Sequence, residues 1–265
     1  MHRRRVAGPV RVVSWNINSL RARIERAKAF VARHDPDVLC LQETKVEDGG
    51  FPRFAFFEHH IEAYGQSSYN GVAILSKQQP DEVCRGFAGD PCPEQRRVMA
   101  ARFDDTWIYD LYVVNGKSPE DPAFETKRRW LTALTEHVAA EHDPGDKVLL
   151  VGDFNITPTD QDVWDPERLR GHIHCTPEER GWLEDLMAWG LSDLHRGLTD
   201  EQVFTWWDYR NLGFPKNEGL RIDLALGTQN IATQVQNIWV DRDERKQGDH
   251  TEKASDHAPL VIDLA

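Results

Sequence analysis

The sequence predicts an α/β (α+β) protein whose sheets are buried on both faces and covered by helices. Short, fully apolar runs such as Val38-Leu39-Cys40-Leu41 read as buried strands. They occur both in pairs and singly between helical stretches, which fits neither a regular βαβ repeat nor an all-β barrel. No repeat, low-complexity linker or shift of composition interrupts them, so one domain over residues 1–265 is expected, with residues 1–9 as a flexible basic N-terminus.

The elements follow in chain order. Val10 to Trp15 reads as a strand ending at Asn16. Ile24, Ala27, Phe30 and Val31 recur at helical spacing between Arg23 and His34, and Asp35-Pro36-Asp37 ends that helix. Further strands are expected at Gly71–Leu75, Val98–Phe103, Trp107–Val114, Val148–Val151, Ile222–Leu226, Thr233–Val240 and Pro259–Leu264. A helix over about Asp121–Glu141 carries Leu131, Leu134 and Val138 on one face. Another starts at Thr176-Pro177-Glu178-Glu179, where Thr caps, Pro takes the first helical position and Glu179 completes a capping box.

Composition narrows the function. The chain has 265 residues, 40% of them hydrophobic, which is enough to bury a core. No stretch approaches the roughly 18 apolar residues of a membrane span. The basic start resembles a leader peptide, but Pro9 and Arg11 break its apolar run, so a cytoplasmic protein is expected. Cys40, Cys84, Cys92 and Cys175 share no metal-site spacing and read as free thiols of a reducing compartment. The net charge of −12 excludes an indiscriminate polyanion binder. Residues 1–34 nevertheless carry +8, so a local basic site remains open.

Polar residues collect where strands end. Asn16 closes the first strand, Glu43 follows the second, Asp153 and Asn155 follow Val151, Asp223 lies in the Leu220–Asp223 stretch, and Asp256-His257 precedes the last strand. Singly, each is as well read as a turn or cap residue. Together they form the palette of a hard-cation phosphoester site, because magnesium takes oxygen ligands and leaves positions for phosphate and water. Phosphodiester hydrolysis needs a cation on the phosphoryl oxygens, a base near the water and help for the leaving group. Glu43 and Asp256 can bind the cation, Asp153 can take the proton, and His257 beside Asp223 can face the phosphate as an imidazolium.

At this point the chain resembles the exonuclease III family of DNA-repair nucleases and apurinic/apyrimidinic (AP) endonucleases, within the exonuclease–endonuclease–phosphatase superfamily. The matching segments include SWNINSLRAR from Ser14, PDVLCLQETKV from Pro36, VGDFNITPTDQDV from Val151, FTWWDYR from Phe204, GLRIDLAL from Gly219 and SDHAPL from Ser255. They stand in family order over almost the whole length. The resemblance implies a four-layer α/β-sandwich, two mixed β-sheets packed face to face and flanked by helices. It implies a Mg²⁺-dependent enzyme, with Mn²⁺ as substitute and one or two ions, cutting double-stranded DNA 5′ to abasic sites and trimming 3′ ends as a monomer. Asn16, Glu43 and Asp256 would form the metal site, with Asp153 and Asn155 in any second-metal position. Asp153 would activate water or protonate the leaving group, Asn155 would orient the phosphate, and Asp223 would hold His257. Tyr112 falls on the family's active-site tyrosine, although Val114 stands where many relatives have Pro. Trp206, Leu220 and Ile222 would wall a pocket for a sugar without a base, and an extruded nucleotide lacking its base costs less to flip. Tyr209, Arg210 and Arg96 would meet DNA, and Arg21, Arg23, Lys45, Arg97 and Lys117 lie beside the same motifs.

The His172-x-His174-Cys175 cluster lacks a fourth ligand at the usual spacing and reads as a loop. Three other readings compete with the leading one: an exonuclease with weak AP endonuclease activity, a non-catalytic lesion binder, and a lipid or inositol-phosphate phosphatase. The intact catalytic positions count against the binder, and FTWWDYR has no purpose in the phosphatase.

Overall fold

The computed structural model describes residues 10–56 and 58–265; the basic N-terminus expected over residues 1–9 lies outside them. Twelve strands form two sheets among the described residues. The strands are β1 (Val10–Asn16), β2 (Val38–Gln42), β3 (His60–Tyr64), β4 (Val72–Ser76), β5 (Glu82–Arg85), β6 (Val98–Phe103), β7 (Thr106–Tyr112), β8 (Lys147–Asp153), β9 (Leu191–Asp193), β10 (Asp223–Thr228), β11 (Val235–Val240) and β12 (Leu260–Leu264). The first sheet runs β11-β12-β1-β2-β4-β3 and the second β5-β6-β7-β8-β10-β9. The chain leaves the first sheet after β4 and returns to it with β11 and β12.

Side-chain alternation along the strands builds the layers. From the first sheet Val12, Cys40 and Ile74 point inward to meet Met99, Ile108, Leu149, Val151 and Ala225 of the second. Their neighbours Val13, Trp15, Leu39 and Leu41 point outward onto Ala27 and Phe30 of helix α1 (Ile24–His34). On the far side, Val148, Leu150 and Leu111 pack under Trp130, Leu131, Leu134 and Val138 of α2 (Pro122–Glu141) and Leu183 and Leu186 of α3 (Pro177–Ala188). Helix, sheet, sheet, helix: this is the four-layer sandwich. The capping box at Thr176–Glu179 is present at the start of α3.

Each sheet holds one parallel pair, β1/β2 and β7/β8, and every other pairing is antiparallel. Both parallel pairs therefore end where their antiparallel neighbours β12 and β10 begin. All the strand-end residues singled out above come to that edge. Gly152 makes the last step of β8 possible. Its φ is 146°, and a Cβ there would stand 1.9 Å from the Leu111 carbonyl oxygen.

Candidate active site

Glu43, Asp153 and His257, from three separate parts of the chain, present ligand atoms all within 4.8 Å of one another. Asp153 ends β8 directly opposite Tyr112 on one side and Asp223 on the other. Glu43 follows β2 at φ 51°, in a loop fixed by main-chain bonds from Ser19 to Glu43, Thr44 to Gly71 and Lys45 to Asn70. Asn18, Lys45 and Asn155 also hold positive φ, so left-handed non-glycine residues cluster around the site.

Hydrogen bonds define each role. The Asn16 amide nitrogen donates to Glu43 and to Asp153, each at 2.9 Å. Its oxygen accepts from the Asn18 N–H at 3.0 Å, so Asn16 ties the two acids to the turn that follows β1. His257 Nδ1 donates to Asp223 at 2.8 Å, leaving Nε2 3.7 Å from Asp153. Asp256 is tied elsewhere, accepting from Asn18 Nδ2 at 2.8 Å and from the Trp206 indole at 3.1 Å. Lys45 bridges Glu43 at 2.9 Å and Asn18 at 2.6 Å. The Asn155 oxygen accepts from Asn115 Nδ2 at 3.0 Å.

Electrostatics agree with a site that lacks positive charge. Burial drives the Asp153 pKa upward; His257 opposes the rise, and Asp223 and Glu43 reinforce it. Burial disfavours charging His257, but Asp223 and Asp153 more than offset that and raise its pKa well above the ordinary histidine value. Burial likewise works against ionising Glu43, yet Lys45 and Asn16 hold its pKa below the usual range. Burial and the Glu43 charge push the Tyr112 phenol up, with Arg97 stacked 4.3 Å over its ring. Four carboxylates (Glu43, Asp153, Asp223 and Asp256) thus face one ammonium and one imidazolium. A divalent cation fits the remaining charge and the hard oxygen donors of Glu43 and Asp153.

The comparisons with known proteins agree. Residues 13–257 match the Endonuclease/Exonuclease/phosphatase family. The chain belongs to that family. Exodeoxyribonuclease III of Haemophilus influenzae is 37% identical, over 95% of this chain and 98% of that protein. A 3′ phosphatase from Neisseria, solved with a product DNA hairpin, superposes with a TM-score of 0.90 at 36% identity, covering 97% of this chain and 99% of that one. An AP endonuclease from Archaeoglobus fulgidus does so with a TM-score of 0.90 at 29% identity, covering 96% and 99%. Members of the family are metal-dependent, which is the chemistry the acidic cluster fits.

The family fold also positions the expected DNA-facing residues. Trp206 bridges to Leu220 and to His257, so the segment expected to wall a sugar pocket is attached to the strand-end cluster. Leu220 and Ile222 pack with Val163 and Cys175 at 5% and 2% exposure, covered by Trp206; of the three walls, Trp206 alone keeps substantial surface. Tyr209 is partly exposed, and its hydroxyl donates to the Ala254 carbonyl at 2.6 Å and accepts from Arg23. Arg210 and Lys117 are exposed. Arg96 is held by the Gly65 carbonyl and lies over Tyr64. Arg23 and Arg97 are buried. The His172–Cys175 segment is a loop, as expected, but His174 turns inward to lie 6.3 Å from Trp206 and to bond the Asn155 carbonyl. Sequence reasoning set His174 aside as a loop residue and passed over Asn18 and Asn115; Asn18 sits inside the matched segment from Ser14, which was the available signal.

Proposed function

We propose that the chain is a metal-dependent DNA-repair nuclease that cuts the phosphodiester 5′ to abasic sites and removes nucleotides or blocking groups from 3′ ends, leaving a 3′-hydroxyl. The observation that carries this is the convergence of Glu43, Asp153 and His257 at the shared end of two sheets. The DNA substrate rests on what the relatives are: an exodeoxyribonuclease, a 3′ phosphatase seen with DNA and an AP endonuclease. Glu43, on the side of Asp153, would hold Mg²⁺, with Mn²⁺ as a substitute. The ion supplies positive charge to the phosphoryl oxygens.

The residues divide the remaining work. Asp153, its pKa raised toward the working range, takes the proton of the attacking water. As water bonds to phosphorus the P–O3′ bond breaks, and the departing oxygen takes a proton from solvent water to become the 3′-hydroxyl. The His257 imidazolium, fixed by Asp223, presents Nε2–H to the phosphate oxygens. Asn155 and Tyr112 border the same space and orient the phosphate. Trp206 contacts the bare sugar, and Arg210, Arg96 and Lys117 meet flanking phosphates. The two interlocked sheets are taken to act as a single domain and a monomer in the cytoplasm; no helix among the described residues is long and apolar enough to cross a membrane.

The test is a duplex with one abasic analogue, labelled at both ends and incubated with EDTA, Mg²⁺ or Mn²⁺. Metal-dependent incision 5′ to the lesion is expected, together with shortening from 3′ ends. Shortening without incision would point to an exonuclease with a closed sugar pocket, and binding without either product would remove the enzyme reading. Trp206→Ala is expected to narrow the preference for abasic over intact duplex.

A further inference from the structure

Behind Asn155 lies a charged pair that the chemistry above does not use. Lys127 of α2 and Glu179 of the first turn of α3 are both fully buried and bonded to each other. Lysine is almost never fully buried unless paired, and replacing such a pair with well-packed apolar residues of similar volume is often neutral for stability. Stability alone therefore gives little reason for it. The other contacts of the ammonium give a better one. Lys127 Nζ donates to the Asn155 carbonyl at 2.7 Å and to the Asn115 carbonyl at 3.3 Å. The Asn155 carbonyl also accepts from His174 Nδ1 at 2.5 Å.

Those two carbonyls belong to the residues whose side chains join at the site. Asn115 Nδ2 donates to Asn155 Oδ1 at 3.0 Å, and Asn155 Nδ2 donates to the Val113 carbonyl at 3.0 Å. Asn155 holds a φ of 54°. A left-handed non-glycine residue persists only where its surroundings over-determine it. Turning its carbonyl inward onto an ammonium fixes the peptide plane and with it the direction of the amide. Glu179 cannot swing away, because its other oxygen accepts from Thr176 N at 3.2 Å and Thr176 Oγ1 at 2.9 Å.

We propose that Lys127, with Glu179 as its counter-ion, is a positioning residue for the Asn115–Asn155 amide pair, holding it toward the bound phosphate. This rests on the nuclease reading above. The ammonium protons go to Glu179, Asn155 and Asn115, so the effect on substrate passes through the asparagines.

The paired variant Lys127→Met/Glu179→Gln tests this, because it removes both charges and keeps a residue able to serve the capping box. Its melting temperature and its kcat and KM on the abasic duplex are compared with wild type, Asn155→Ala and the combination of all three substitutions. The paired variant is expected to melt near wild type while kcat falls on the order of 10²-fold, the effect of a displacement of about 1 Å. Adding Asn155→Ala should cost little more, because both changes disable the same group. An unchanged kcat, or losses that multiply, would overturn the proposal and leave the nuclease reading standing. Wild-type activity in Asn155→Ala would instead remove the role given to Asn155, and the proposal with it. If the paired variant does not fold, Lys127→Met alone, which removes the donor to both carbonyls, is put through the same cycle under the same criterion.

Discussion

Two buried charge clusters in this molecule are built from similar parts and end in opposite states. Asp162 and Asp193 meet Arg221 at 2.7 and 2.6 Å, and Arg196 reaches Asp162 at 2.6 Å. Thr159 and the N–H groups of His195 and Arg196 take the remaining carboxylate oxygens. Burial works against ionising Asp162, yet the two arginines hold its pKa below the usual range. At the strand ends Asp153 is pushed the other way, and one oxygen of Asp223 is buried without a partner among the described residues. In the first cluster Arg221 bridges both carboxylates and every carboxylate oxygen has a donor. In the second the acids outnumber the cations. The difference separates a structural cluster from a functional one better than burial or the number of acids does.

The largest expected effect breaks the functional side alone. Asp153→Asn should lower cleavage of the abasic duplex by about 10²–10⁴-fold, the range for a lost general base, with the fold retained. Gel assays of product and circular dichroism on the same sample measure both. The mirror experiment is Arg221→Met, which strands two buried carboxylates. It should cost about 3–5 kcal/mol in urea unfolding while activity per folded molecule stays near wild type. A smaller effect separates the clusters by what completes them. Mg²⁺ should raise the stability of wild type and of Arg221→Met, by about 2.7 kcal/mol at a hundred times the dissociation constant. Glu43→Ala should lose most of that gain, and an equal gain would take Glu43 out of the metal site.

The smallest effect is a change of slope. Burial, and then the Arg221 charge, lower the His195 pKa from 6.5 to about 4. The unfolded chain therefore binds the proton first, so stability is complete above pH 6.5 and declines as pH falls toward 4. In Arg221→Met that decline should be shallower, because a cation facing the imidazole is gone. Urea midpoints at pH 7, 5.5 and 4.5 give the slope.

The same contrast explains what the sequence could and could not reveal. Central strands such as Val38–Gln42 are apolar on both faces and legible as runs. The strands that went unnoticed, His60–Tyr64, Glu82–Arg85 and Leu191–Asp193, all lie at sheet edges, where strands are short and carry charge. The predicted strand from Thr233 starts at Val235 because a short helix, Gln229–Ala232, precedes it. At the site, Glu43, Asp153, Asp223 and His257 were visible because each ends or begins a strand. Which end of the Asn16 amide faces the acids depends on the bond from Asn18 and is not written in the chain order. Nor is the bond from the Tyr209 hydroxyl to Ala254, 45 residues away. Lys127 and Glu179 were invisible as a pair because on their own helices each looks like an ordinary charged position; only the packing of α2 on α3 buries both.

The order in which the twelve strands are laid down has a consequence for synthesis. His257 arrives with β12, which must slot between β11 and the long-finished β1. A ribosome can thus expose the first eleven strands, already folding, with the imidazole still missing. The imidazole is therefore the last of the site's groups to reach the shared strand ends.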